Sequence, residues 1–137
     1  MPELTGVLET CLYVDDLDRA CRFYENIFGL ERMEGDERFR AYNVAGRDVL
    51  ILFKRGASAQ PMRFPGGTVS PHDGSGPLHF AFSIPAPELD AWEKHLAGNG
   101  IAVESRVQWP RGGTSIYFRD PDNHLAELAT PGLWSIY

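Results

Sequence analysis

Cysteine is almost missing from this chain: Cys11 and Cys21 are the only two in 137 residues. Two thiols do not make a disulfide framework, so the expected setting is a reducing, cytoplasmic one. Basic residues are in deficit, 13 Lys and Arg against 19 Asp and Glu, for a net charge of -6. That balance argues against nucleic acid, where clustered cations must displace counterions, and it gives no reason to expect an anionic membrane as partner. Long apolar runs are missing as well. None reaches the roughly 20 residues that a membrane helix requires. The opening Met1-Pro2-Glu3-Leu4-Thr5-Gly6 has neither a basic start nor an apolar core, so no signal peptide is expected. What remains is the composition of one ordinary globular domain, 43% hydrophobic and 23% charged, long enough to bury a core without staples.

Within that domain one plan occurs twice. Leu8-Glu9-Thr10-Cys11-Leu12-Tyr13-Val14 alternates, with Leu8, Thr10, Leu12 and Val14 on one face and Glu9, Cys11 and Tyr13 on the other. Asp15-Asp16 supplies a helix N-cap. The apolar positions Leu17, Ala20, Cys21, Tyr24, Ile27 and Phe28, spaced by three and four, then cover one side of a helix that Gly29 ends. Strands are expected near 31–35, 39–45 and 48–54, which completes a β-α-β-β-β unit over 5–54. Residues 78–131 repeat it. Leu78, Phe80, Phe82 and Ile84 oppose His79, Ala81 and Ser83, and Pro85-Ala86-Pro87 leads into a helix with Leu89, Trp92 and Leu96 inward. Strands near 102–108, 114–119 and 124–130 finish the unit, with Asp120-Pro121-Asp122-Asn123 as a tight turn. The stretch 55–77 between the units is rich in Gly, Pro and Ser and lacks periodicity, as expected of a linker or a lid.

The duplication puts Glu9 and His79 at matching places on the mixed faces of the two opening strands. In the last strand Glu127 shares a face with Leu125 and Ala129. An ionised carboxylate among such neighbours is costly to bury unless paired or bound to metal. Each residue alone reads as an ordinary strand side chain. Together, Glu9, His79 and Glu127 are satisfied at once by one divalent cation, with coordination positions left for water or substrate. His124 falls on the face opposite Glu127, His72 in Pro71-His72-Asp73 is expected in solvent, and His95 reads as a surface residue of the second helix. Arg111, in Pro110-Arg111-Gly112-Gly113, reads as a solvated loop arginine. Cys11 and Tyr13 share the Glu9 face and are expected to line a substrate pocket, with Trp109 and Tyr117 as further candidates.

Tyr13-Val14-Asp15-Asp16-Leu17-Asp18-Arg19-Ala20, Phe23-Tyr24, Phe28-Gly29-Leu30, His79-Phe80-Ala81-Phe82 and the run from Ile116 to Leu128 together resemble the vicinal-oxygen-chelate superfamily of glyoxalases, bleomycin-resistance proteins, fosfomycin-resistance proteins and extradiol dioxygenases. The resemblance implies an α+β fold, two tandem β-α-β-β-β units whose sheets form a curved, partly open barrel around a single cleft, and a homodimer. It assigns Glu9, His79 and Glu127 to the metal-ligand slots. Many members carry His in the slot of Glu9, and the last strand of the first unit, Val49-Leu50-Ile51-Leu52-Phe53, offers no fourth ligand. Two carboxylates and one imidazole suit Mn²⁺, Fe²⁺ or Mg²⁺, with Zn²⁺ and Ni²⁺ also open. The implied activity is redox-neutral lyase, isomerase or addition chemistry on a small oxygen-chelating substrate, with Glu127 and Tyr13 as the catalytic candidates. The alternatives are an extradiol-type dioxygenase and a metal-free drug-binding protein.

Overall fold

The computed structural model describes residues 1–137. Its chain divides into two compact units, Met1–Gly76 and Pro77–Tyr137.

In the first unit, strand β1 (Glu9–Val14) leads into helix α1 (Leu17–Phe28), followed by β2 (Glu31–Gly35), β3 (Phe39–Val44) and β4 (Asp48–Lys54). The sheet order is β1-β4-β3-β2. β1 runs parallel to β4 and pairs Glu9 with Val49, Cys11 with Ile51 and Tyr13 with Phe53. A parallel pair needs a crossover, and α1 and the two strands after it supply one. α1 starts where the Asp16 carboxylate accepts the Arg19 N–H at 3.0 Å. It stops where Gly29 takes the left-handed φ of 65° and donates to Glu25 O, a conformation that glycine adopts without a Cβ penalty. Leu17, Ala20, Cys21, Tyr24 and Ile27 turn inward and meet the buried faces of β1 and β4, Leu12, Val14, Leu50 and Leu52. Phe28 is only half-buried and stacks on Tyr24, ring centroids 5.6 Å apart.

Residues 55–77 carry more order than their composition implies. β5 (Met62–Phe64) and β6 (Gly67–Val69) form a small antiparallel hairpin, with Pro65-Gly66 as its turn. Three-residue strands are too short for alternation to betray them. The stretch is tied back to the unit by Arg55, whose guanidinium donates to Asp15 Oδ1 at 2.8 Å, Gly74 O at 3.1 Å and Tyr13 O at 3.2 Å. His72 is not in solvent as expected. It lies half-buried, edge-on to Phe53 at 4.7 Å, and shares a 2.8 Å hydrogen bond with the Tyr13 hydroxyl.

In the second unit, β7 (His79–Ser83) is followed by a 3₁₀ turn (Ala86–Glu88), α2 (Leu89–Gly98), β8 (Ser105–Gln108), β9 (Thr114–Arg119) and β10 (Leu125–Ala129). The order β7-β10-β9-β8 repeats that of the first sheet, again with one parallel pair, β7 and β10. Its core is Phe80, Ile84, Leu89, Leu96, Ile116, Phe118, Ala126 and Leu128. β8 begins later than the 102–108 expected, because the chain leaves α2 through Gly100 and first meets β9 where Glu104 N–H donates to Tyr117 O at 2.7 Å. His124 is fully buried, and its Nδ1 accepts the Leu78 N–H at 2.8 Å, a structural tie between the turn before β10 and the start of β7.

Candidate functional site

The strand order of the second unit sets His79, Glu127, Tyr117 and Ser115 side by side. β10 lies between β7 and β9, with Leu125 registered on His79 and Glu127 on both Ala81 and Tyr117. Glu127 is buried, 5% exposed, at the centre of the sheet. Its Oε1 accepts two hydroxyls, Ser115 Oγ at 2.5 Å and Tyr117 OH at 3.2 Å. Ser115 in turn accepts the Trp109 indole N–H at 2.8 Å. Burial, helped by the neighbouring Glu127 charge, pushes the Tyr117 phenol up, so it remains a donor. One carboxylate oxygen is thereby fixed, and the other faces His79.

Oε2 of Glu127 lies 3.2 Å from His79 Nε2. The other ring nitrogen of His79, Nδ1, is 2.9 Å from the carbonyl oxygen of Leu125. A carbonyl only accepts, so the proton of that bond sits on Nδ1. In the neutral imidazole Nε2 is then a lone pair aimed at a carboxylate oxygen. Two acceptors face each other at contact distance, and only a cation or a proton between them relieves that arrangement. A histidine that gives one N–H to a backbone carbonyl while presenting the other nitrogen is also the usual pose of a metal ligand. Within the second unit no third His, Cys, Asp or Glu joins the pair.

A cavity of about 430 Å³ opens beside the pair and is lined by His79, Glu127, Tyr117 and Trp109 together with Phe82 and the segment from Leu133 to Tyr137. That segment has no counterpart in the expectations above. It folds back through Gly132 N–H to Tyr137 O at 2.9 Å and Gly113 N–H to Gly132 O at 3.2 Å, and the Tyr137 hydroxyl donates to Ala129 O at 2.7 Å. Gly132 has φ of 110°, and a Cβ there would lie 2.4 Å from Gly113 N, so the close approach of the two chains requires glycine.

The remaining candidates lie in the first unit. Glu9 is the exposed first residue of β1. Cys11 and Tyr13 follow on the same face, half-buried beside Ile51 and Phe53. Burial, and then the Glu9 charge, raise the Cys11 thiol, which leaves it protonated and unsuited as a nucleophile. Register explains why the first unit has no second ligand. Glu9 pairs with Val49 as His79 pairs with Leu125, so Ile51 occupies in β4 the place of Glu127 in β10. Arg111 and His95 are exposed. Ser115 has no chemical signature of its own in the sequence, although its alternation with Tyr117 along 114–119 puts both on the face of Glu127. The run Leu133-Trp134-Ser135-Ile136-Tyr137 holds four large apolar residues of five.

Three comparisons bear on the fold and lineage. The metallothiol transferase FosB of Staphylococcus epidermidis is 30% identical over 129 residues, 93% of this chain and 83% of that protein. The crystal structure of lactoylglutathione lyase from Agrobacterium tumefaciens matches at a TM-score of 0.88 and 32% identity, over 98% of this chain and 99% of that one. The fosfomycin resistance protein FosX from Listeria monocytogenes, complexed with Mn(II) and sulfate ion, matches at a TM-score of 0.66 and 26% identity, over 93% and 91% of the two chains. The profile of one superfamily matches residues 6–128, a span that holds both β-α-β-β-β units and all of Glu9, His79 and Glu127. The chain belongs to the Glyoxalase/Bleomycin resistance protein/Dioxygenase superfamily.

Proposed function

We propose that this chain is a metal-dependent enzyme carrying out redox-neutral addition, lyase or isomerase chemistry on a small oxygen-chelating molecule. The observation that carries the reading is the pair of facing acceptors, His79 Nε2 and Glu127 Oε2, 3.2 Å apart. These two would hold the ion. One imidazole and one carboxylate with no thiolate suit Mn²⁺, Fe²⁺ or Mg²⁺ better than a thiolate-seeking ion, with Zn²⁺ and Ni²⁺ still candidates. The names of relatives, a metallothiol transferase and a fosfomycin resistance protein bound to Mn(II), support both the metal and the redox-neutral assignment.

A divalent ion bound there supplies Lewis acidity to oxygens of the substrate. The chain's own groups do the rest. Ser115 and Tyr117 fix Glu127 Oε1, so the carboxylate keeps one orientation with Oε2 outward. Tyr13, whose hydroxyl shares a 2.8 Å hydrogen bond with His72, is the other candidate for acid–base work. We infer a homodimer as the working assembly, supported by the open edges that β1 and β7 leave in their sheets. Light scattering should then give twice the chain mass of 15.3 kDa. Two free thiols, Cys11 and Cys21, fit a cytoplasmic setting.

The test is a calorimetric titration of chelator-stripped protein with Mn(II), followed by assay of epoxide opening by water or a thiol. One ion per chain is expected, with affinity at least tenfold lower in His79→Ala and Glu127→Gln. Equal binding by wild type and both variants would overturn the metal reading and leave a metal-free binder of small molecules.

A further inference from the structure

The cavity beside His79 and Glu127 is polar at one end only. No Lys or Arg lines it, and its one carboxylate is that of Glu127. The aromatic side chains around it have their polar atoms turned away. The Trp109 N–H is given to Ser115, the Tyr117 hydroxyl to Glu127, and the Tyr137 hydroxyl to Ala129 O. The Ser83 hydroxyl is engaged with Tyr137. What these residues offer the cavity is carbon. Segment 131–137 adds Leu133, Trp134 and Ile136, and the last two stand 70% and 94% exposed. Large apolar side chains left open beside a built polar site mark a binding surface rather than a core.

We propose that this cavity takes the aromatic-ring portion of an amphiphilic ligand, one whose neutral oxygen atoms point to His79 and Glu127 and whose ring lies against Phe82, Trp109, Trp134 and Ile136. The segment 131–137 is then a specificity determinant. Rings stack offset or edge-to-face on such walls, and about 430 Å³ falls within the range of small-molecule pockets, roughly 300–1,000 Å³. A compact molecule that is polar throughout, such as an epoxide bearing a phosphonate, leaves the apolar wall uncovered. Away from the His79 and Glu127 end the cavity wall carries no cationic side chain to receive a charged group. The inference rests on the reading that His79 and Glu127 form the oxygen-binding end of the site.

The experiment compares three probes by calorimetry and by quenching of tryptophan fluorescence on the Mn(II)-loaded protein: 2-naphthol, naphthalene-2-sulfonate and fosfomycin. Expected is 2-naphthol at least tenfold tighter than either anion, and at least fivefold weaker in Trp134→Ala and in Ile136→Ala. Both substitutions are at exposed positions, so the fold, checked by circular dichroism, should survive. Either anion binding as tightly as 2-naphthol, or unchanged 2-naphthol affinity in both variants, would overturn the proposal. The same probes are run on metal-free protein. Retained ring selectivity there, with no Mn(II) bound to wild type, would sink the metal reading and leave the ring site standing. Mn(II) bound with no ring selectivity would do the reverse.

Discussion

At the scale of the residue, the site turns on which atoms of Glu127 are already committed. Oε1 carries two hydroxyl donors and Oε2 none from the strands beside it, so Ser115 is a positioning residue for the carboxylate. Removing a partner from a buried ionised group costs about 1–3 kcal/mol, and loss of such an outer support lowers metal affinity roughly 10–100-fold. Ser115→Ala should therefore show both effects, read by denaturant unfolding of the stripped protein and by Mn(II) titration. Trp109→Phe, which removes only the donor to Ser115, should show a smaller version of each. His79 and Glu127 were legible because period-two alternation assigns each a face. Alternation with Tyr117 assigns Ser115 the same face, but serine is an ordinary strand residue until its partner is known. The distance between His79 and Glu127 follows from the register of β7 on β10, which spacing within a single strand does not specify.

At the scale of the element, α1 is tied to its sheet by Glu25. Its carboxylate takes Arg32 Nη2 at 2.6 Å from β2 and the Tyr42 hydroxyl at 2.8 Å from β3. Burial alone would raise that carboxyl; the Arg32 and Tyr42 hydrogen bonds overcome it and hold the group below the usual range. Burial pushes the Tyr42 phenol far up, so it stays a donor. A depressed carboxyl contributes stability that is complete above the unfolded value, about 4.3 for glutamate, and is lost as pH falls through the folded value. Glu25→Gln should lower the melting temperature at pH 7, and the gap to wild type should narrow as pH falls below about 4.3. A gap that stays constant over that interval would contradict the tie. The wholly exposed strand 31–35 carries no alternation. Helix α1 was legible because its caps and its spacing by three and four agree, and the strands 48–54 and 114–119 because they are runs rich in β-branched and aromatic residues. The hairpin at 62–69 and the segment 131–137 were not, being held by backbone contacts such as Gly132 against Gly113 rather than by a repeating pattern. Gly132→Ala forces a side chain into a left-handed backbone and a close contact, a strain of order 1–3 kcal/mol. It should loosen 131–137 and weaken 2-naphthol quenching, while the circular dichroism of the sheets is kept.

At the scale of the whole molecule, the repeat is the informative feature. Both units use the order first, last, third, second strand, with one parallel pair each. Equivalent positions have diverged in chemistry: Ile51 stands where Glu127 stands in the other unit, and Glu9 where His79 does. The duplication and the superfamily were readable from the chain because they leave matched patterns in sequence. The ring-binding cavity was not, because it is built from a segment outside the repeat.

The central claim is that His79 Nε2 and Glu127 Oε2 share a cation. Anomalous diffraction at the manganese edge, from crystals grown with Mn(II), tests it most directly. The account predicts one strong peak per chain within bonding distance, roughly 2.0–2.3 Å, of both atoms. A peak elsewhere on the chain, with the two acceptors bridged only by a proton or by water, would contradict it.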